Sequence, residues 1–152
     1  MYCRRNQRRQ PKDRVRYQKF DFLGYTFKPR MVKRREKRFL GFTPSMSQKS
    51  ISRINEELFR MNIHRMVQVP ISRIAGMINH KIRGWINYYG KFRLSGMAKL
   101  FRTLHRRLAK WLHNKYRRFH RKPWEYASRY LRNLARDYPN LFEHWQYPSL
   151  RP

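Results

Sequence analysis

The sequence predicts a mostly α fold of the α+β kind: a small N-terminal β-hairpin followed by a bundle of three to four helices. Three observations carry this expectation. Apolar residues recur at helical spacing from Ile51 onward. Two short aromatic runs upstream, "FDFLGYTFKPR" and "FLGF", have strand character instead. Hydrophobic residues at 40% and aromatics at 16% of 152 residues are enough for one core, in one compact domain or one plus a small subdomain.

The elements follow in order. Residues 1–19 are basic and polar. The two aromatic runs, the first broken by Pro29, read as the strands of one hairpin. The charged stretch "RMVKRREKR" is its long turn. From Ser47 the period becomes helical: Ile51, Ile54, Leu58 and Met61 form a stripe, with Ser47 or Ser50 as the cap. "RMNIHRMVQ" connects to a second helix, whose first turn suits Pro70. Its apolar face is Ile71, Ile74, Ala75, Ile78, Ile82, Trp85, Ile86 and Tyr89. A turn at Phe92–Leu94 leads to Ser95 as the next N-cap. The third helix carries Met97, Leu100, Phe101, Leu104, Leu108, Trp111, Leu112, Tyr116 and Phe119 inward. Pro123 ends it and opens a fourth helix with Trp124, Ala127, Leu131 and Leu134 inward; Pro139 closes that one. The tail "LFEHWQYPSLRP" is aromatic enough to dock on the bundle. Three regions result: 1–44, the basic segment and hairpin; 45–122, the helical domain; and 123–152, the last helix and tail.

Charge narrows the partner. Lys and Arg total 38 against 8 acids, a formal net charge of +30. Self-repulsion on this scale favours a polyanionic partner, most often nucleic acid. Between Leu58 and Trp124 there are 17 Lys and Arg and no Asp or Glu. A solvated helix face ordinarily mixes signs to gain pairs one turn apart. On the second helix, Arg73, Gly76, His80, Arg83, Gly84, Asn87 and Lys91 lie opposite the apolar face, with Lys81 and Tyr88 at the border. Two glycines on a cationic helix face permit close approach of a sugar–phosphate backbone, or pack against another helix, or are simply a tolerated cost. Tyr88 has a ring that packs on one side and is free to stack on a base with the other. On the third helix the polar side carries Lys99, Arg102, Arg106, Lys110 and Arg117. These cationic and polar side chains are the candidate RNA contacts.

Catalytic and metal chemistry find little support. The acids are Asp13, Asp21, Glu36, Glu56, Glu57, Glu125, Asp137 and Glu143, and no pair has the look of a two-metal clamp. His105, His113 and His120 are spaced too widely to share a metal and read as surface or RNA-facing residues. Cys3 is alone, which excludes an intramolecular disulfide and a cysteine-built zinc site. No metal or cofactor is expected. The opening "MYCRRNQRRQ" has no secretory pattern, and no apolar run approaches the ~20 residues that span a bilayer. The expectation is a cytoplasmic, nucleoprotein-associated protein without membrane contact.

Four motifs in order, "FDFLGYTFKPR", "FLGFTPSMS", "INHKIRGWINYYGKF" and "LARDYPNLFEHWQ", make the chain similar to the C-terminal part of reverse transcriptases encoded by group II introns. "RGWINYYGKF" is the most specific of them and resembles the maturase-specific, or X/thumb, domain. The resemblance implies binding of intron RNA and assistance to its folding and splicing, or a grip on a template–primer duplex. It also implies that Phe22, Leu23, Gly24 and Tyr25 resemble the hairpin at the end of the palm that holds the primer. The family's YADD-type catalytic motif is not in this sequence, so polymerase activity does not carry over. Three readings stay open: an RNA-binding maturase domain, the thumb piece of a split or truncated reverse transcriptase that needs a separate fingers and palm fragment, and a remnant or recruited domain.

Overall fold

The computed structural model describes residues 19–34 and 37–152, so most of the basic N-terminal segment lies outside the described residues. The described chain has five short strands, then five helices joined by 3-10 turns.

The strand region departs from the expected single hairpin. β1 (Phe20–Phe22) and β2 (Tyr25–Phe27) already form a hairpin between them, with Phe20 opposite Phe27 and Phe22 opposite Tyr25. The chain reverses at Leu23 and Gly24, whose φ angles are 46° and 78°. Positive φ at both central residues suits the two-residue turn whose twist matches the strands. β5 (Pro44–Met46) adds antiparallel to β2. The basic stretch expected as a turn is itself paired: β3 (Arg30–Arg34) and β4 (Lys37–Gly41) make a separate two-stranded ribbon. Phe20 stacks on Phe27 at 4.8 Å, and Phe42 lies beside both.

Helix α1 (Gln48–Arg60) starts at Ser47, whose Oγ accepts from the Ser50 amide at 3.1 Å. Gly24 is docked onto this start. Its carbonyl accepts from the Ser47 amide at 2.8 Å and from the Ser50 hydroxyl at 3.1 Å. The connection to α2 (Ile71–Arg93) is held from α3 (Ala98–Lys115): Trp111 Nε1 donates to the Met66 carbonyl at 2.8 Å, and Lys115 Nζ to the Val67 carbonyl at 2.6 Å. Pro70 immediately precedes α2. Ile74, Ala75, Ile78, Ile82, Ile86 and Tyr89 are buried, while Trp85 is only partly buried against the same core.

The turn after α2 differs from the expected one. α2 runs on to Arg93, a 3-10 turn follows at Leu94–Met97, and no side chain caps α3. Ser95 is exposed and accepts from Arg93 instead. The bend comes from close packing: a Cβ on Gly90 would sit 3.0 Å from Leu94, and one on Gly96 3.3 Å from Ser45. α3 then stops at Lys115, because Tyr116 is extended. α4 (Arg117–His120) follows as one turn and buries Phe119 with Ala109 and Ala127. That break resets the helical phase. Tyr116, at the break, is exposed. Trp124, expected inward, is the first residue of α5 (Trp124–Asp137) and is 41% exposed. Ala127 and Leu131 are buried as expected.

The tail docks as expected. Phe142, His144, Trp145 and Leu150 are buried. His144 stacks flat on Phe101 at 4.5 Å, and its Nε2 lies 2.8 Å from Nε2 of His105. His105 is thus a core residue and not the surface residue expected from helix spacing. One ring must donate and the other accept, so at least one imidazole is neutral, and burial keeps the second neutral as well. Burial pushes His105 down to about 4 and His144 well below the usual histidine range.

Two predictions follow from this packing. A methyl group at position 24 would meet Ser50 Oγ at 2.9 Å and the Tyr89 ring at 3.2 Å, on a backbone of positive φ. Gly24→Ala is expected to cost about 1–2 kcal/mol from the backbone alone, read as a lower urea midpoint; an unchanged midpoint would refute the docking. The histidine pair makes folding acid-sensitive. The unfolded chain takes up protons near pH 6.5, while folded His105 resists until about 4. Stability is therefore complete above pH 6.5 and drains away below it, by on the order of 2–3 kcal/mol on reaching pH 4. Urea melts at pH 7.5 and 5 test this, and equal midpoints would contradict it.

Candidate nucleic-acid interface

The physical chemistry of the two basic helices places their charges outward. On α2 the isoleucines take the core side, so Arg73, Gly76, His80, Arg83, Gly84, Asn87 and Lys91 are all exposed. On α3, Lys99, Arg102, Arg106 and Lys110 are exposed, and Arg117 on α4 is exposed too. The two stripes sit on helices with different neighbours. α3 packs on α1 and α5, whereas α2 packs on β5 and on the tail. The sequence-predicted residues are thus carried by two helices, each exposing them on the side away from its packing partners.

Not all of these cations are free of acids. Lys81 pairs with Glu57 on α1, and Arg83 pairs with Glu143 in the tail. The Glu143 hydrogen bond holds the Arg83 guanidinium above its usual range. The 17 cations between Leu58 and Trp124 have no acid among themselves, but two of them meet acids returned by the fold from outside that stretch. Lys81 and Arg83 thus join α2 to its neighbours as well as facing outward. Lys99 donates to the Gln48 side chain at 3.1 Å. Arg73, His80, Asn87, Lys91, Arg102, Arg106 and Lys110 make no side-chain hydrogen bond or ion pair with any described residue.

Tyr88 joins the aromatic core to the exposed stripe. Its ring is 48% exposed and lies edge-on to Tyr89 at 4.7 Å. Its hydroxyl donates to the Leu23 carbonyl at 2.9 Å, and its own carbonyl accepts from the Tyr25 hydroxyl. Tyr25 is buried among Tyr88, Tyr89 and Phe92, and that burial, then the two neighbouring tyrosines, push its hydroxyl up. Phe22 and Leu23 stay exposed at the hairpin tip, while Gly24 and Tyr25 are consumed in docking it. Of the four hairpin residues singled out in the sequence, two face out and two hold the turn in place.

The glycines separate cleanly by environment. A Cβ on Gly76 or Gly84 would meet nothing within 4 Å, so neither is there to admit another helix of the described chain. Among the described residues nothing offsets their cost of roughly 0.5–1 kcal/mol each relative to alanine.

Sequence reasoning missed several exposed groups. Phe92, 57% exposed, extends the face beside Tyr88. Arg118 lies 5.0 Å from the Phe119 and Tyr130 rings and 5.4 Å from Tyr116, a cation held by aromatic faces. The signal was the alternation of basic and aromatic residues in "KYRRFHRKPWEY". Among the described residues, no three or more His, Cys, Asp or Glu gather as a metal ion would require. No described helix is long and apolar enough to cross a membrane.

The fold and its two outward stripes define a basic, mostly helical domain with an unneutralised surface. The model for the group II intron maturase-specific domain matches residues 51–131, from α1 to α5, and the chain belongs to that family. The strand region and the tail lie outside the match. No curated protein and no solved structure matches the chain.

Open space at Gly76 and Gly84 gives a prediction of opposite signs. Gly76→Ala and Gly84→Ala are each expected to stabilise the fold by about 0.5–1 kcal/mol, and to weaken RNA binding by holding the backbone off. Thermal melts and RNA titrations on the same variants read both. Stabilised variants with unchanged RNA affinity would remove the glycines from the interface.

Proposed function

We propose that this chain binds folded group II intron RNA through the outward faces of α2 and α3, and so assists folding and splicing of the intron without supplying polymerase chemistry itself. One observation carries the reading: a stretch of 17 cations and no acid folds with its exposed cations along two helices of a maturase-specific domain. Arg73, His80, Asn87 and Lys91 on α2, with Lys99, Arg102, Arg106, Lys110 and Arg117 on α3 and α4, make the contacts, and Tyr88 offers a ring face to an unpaired base. Lys81 and Arg83 contribute while tied to Glu57 and Glu143. The protein works in the cytoplasm as part of a ribonucleoprotein.

A second reading has its own observation. The hairpin tip, with Phe22 and Leu23 outward, is fastened to the same end of α2 as Tyr88 and Phe92. That arrangement suits the thumb piece of a reverse transcriptase gripping a template–primer duplex beside a separate fingers and palm fragment. Sequencing of RNA crosslinked to the protein in its own cells separates the two: intron domains for the first, cDNA-bearing template ends for the second.

Binding driven by released counterions must weaken steeply with salt. Contacts to about 6–10 phosphates lower affinity by about 10³–10⁵ between 50 and 200 mM salt, taking duplex DNA as the guide. A filter-binding series over that range with an intron RNA tests this, and a nearly flat dependence would overturn the proposal.

A further inference from the structure

A cavity of about 480 Å³ opens between the end of α1, the 3-10 turn at Ile63–Arg65, α3 and the start of α5. Its walls combine two kinds of group. Phe59 and Trp124 supply rings that are 62% and 41% exposed. Arg65, Arg106, Arg107 and Lys110 supply positive charge, and no acid lines the space. His64 also borders it, and burial, then Lys110, Arg65 and Arg107, push that imidazole below its usual range. The Arg107 guanidinium lies 5.0 Å from the Phe59 ring, and its Nε–H has no hydrogen-bond partner among the described residues. Here too a cation is held by an aromatic face and not by a carboxylate.

We propose that this cavity takes one unpaired nucleotide extruded from the bound RNA, with its base on the exposed rings and its phosphate among the arginines and Lys110. The chemistry selects this occupant. A bare phosphate leaves two exposed rings unused. A duplex keeps its bases stacked on one another and brings no free base face to the two rings. A flipped or bulged nucleotide brings a flat π-face and an anion together, as aromatic and cationic walls require. The volume lies in the range of pockets that hold small ligands. The proposal rests on the RNA-binding reading and adds a preference for a bulge beside a helix.

Two RNA hairpins, identical but for a single bulged 2-aminopurine, provide the test. The full chain is titrated with each, alone and with millimolar AMP. The wild-type protein is expected to bind the bulged hairpin on the order of tenfold more tightly, the scale of one base stacked on an aromatic ring. The 2-aminopurine emission should fall on binding. Phe59→Ala with Trp124→Ala should abolish that preference and leave affinity for the paired hairpin and the melting temperature unchanged. Phe59→Ala alone repeats the test if the double variant melts early. Equal wild-type affinity for the two hairpins overturns the cavity proposal and leaves general RNA binding standing. A bulge preference that survives both substitutions overturns it as well. AMP that removes the preference without releasing the paired hairpin supports a nucleotide in the cavity. AMP binding in the absence of any bulge preference makes a free nucleotide the occupant and overturns the RNA assignment. Failure to bind either hairpin sinks the RNA-binding reading, and the cavity proposal with it.

Discussion

Like-charge repulsion is the constraint on which the rest of this structure depends. With a formal net charge of +30 on 152 residues, the folded state crowds cations that the unfolded chain would spread apart. The described structure meets this in three ways. It keeps charge out of the core: His105 and His144 are buried neutral, and they hydrogen-bond to each other, not to an ion. It uses acids as cross-links, with Glu57 joining α1 to α2 and Glu143 joining the tail to α2. It also rests arginines on rings, as Arg107 does on Phe59 and Arg118 on Tyr130. A cation on a ring face remains a cation toward solvent, so this device holds the surface together without neutralising it. A polyanion that binds only the folded state would relieve the remaining repulsion and stabilise the fold by mass action.

The helices were legible in the sequence because each buries a stripe that recurs every three to four residues. Ile51, Ile54 and Leu58, and then Ile74 through Tyr89, lie where the spacing puts them. The strands were not legible in the same way. Three-residue strands are too short to display a period of two, and the reversal at Leu23–Gly24 puts a leucine in the left-handed region, which composition does not flag. The errors after Lys115 lie at helix ends. A helical wheel drawn through residue 119 assumes continuous phase, but extended Tyr116 breaks it and is itself exposed, while Trp124 is the first residue of its own helix and stays half out where Ala127 and Leu131 turn inward. His105 failed for a different reason. Its partner His144 is 39 residues away, and no local pattern announces a contact that only the docked tail creates.

The same distinction between local and tertiary information governs the candidate interface. Exposure of the α2 and α3 cations follows from where the isoleucines and leucines point, so these residues could be chosen from the sequence. Which of them meet an acid could not. Glu143 is 60 residues from Arg83 and Glu57 is 24 from Lys81, and only folding brings them together. The role of the glycines was likewise open until the space around them was known. Sequence offers no way to distinguish an open face from a helix-packing face, whereas the empty surroundings of Gly76 and Gly84 do so directly. The Phe59–Trp124 cavity lies further from sequence still, since its two rings come from separate helices that α3 brings together.

Helix α2 serves as both core beam and outward face, and the hairpin is what lets it do so near Tyr88. A tyrosine on an exposed helix face is ordinarily free to change rotamer and would lose that freedom on stacking with a base. Here the Tyr88 hydroxyl is already committed to the Leu23 carbonyl at 2.9 Å, and the Tyr88 carbonyl to the Tyr25 hydroxyl. Tyr25 is in turn packed against Tyr89 and Phe92, and Gly24 is fixed on the N-terminus of α1 by two hydrogen bonds to its carbonyl. The ring is therefore set before any ligand arrives, and the side-chain entropy of ordering it is lost in folding and not in binding. This gives the strand region, outside the matched family segment, a physical role that does not require it to touch RNA. It holds the aromatic end of α2 in one conformation, beside the cations that face outward.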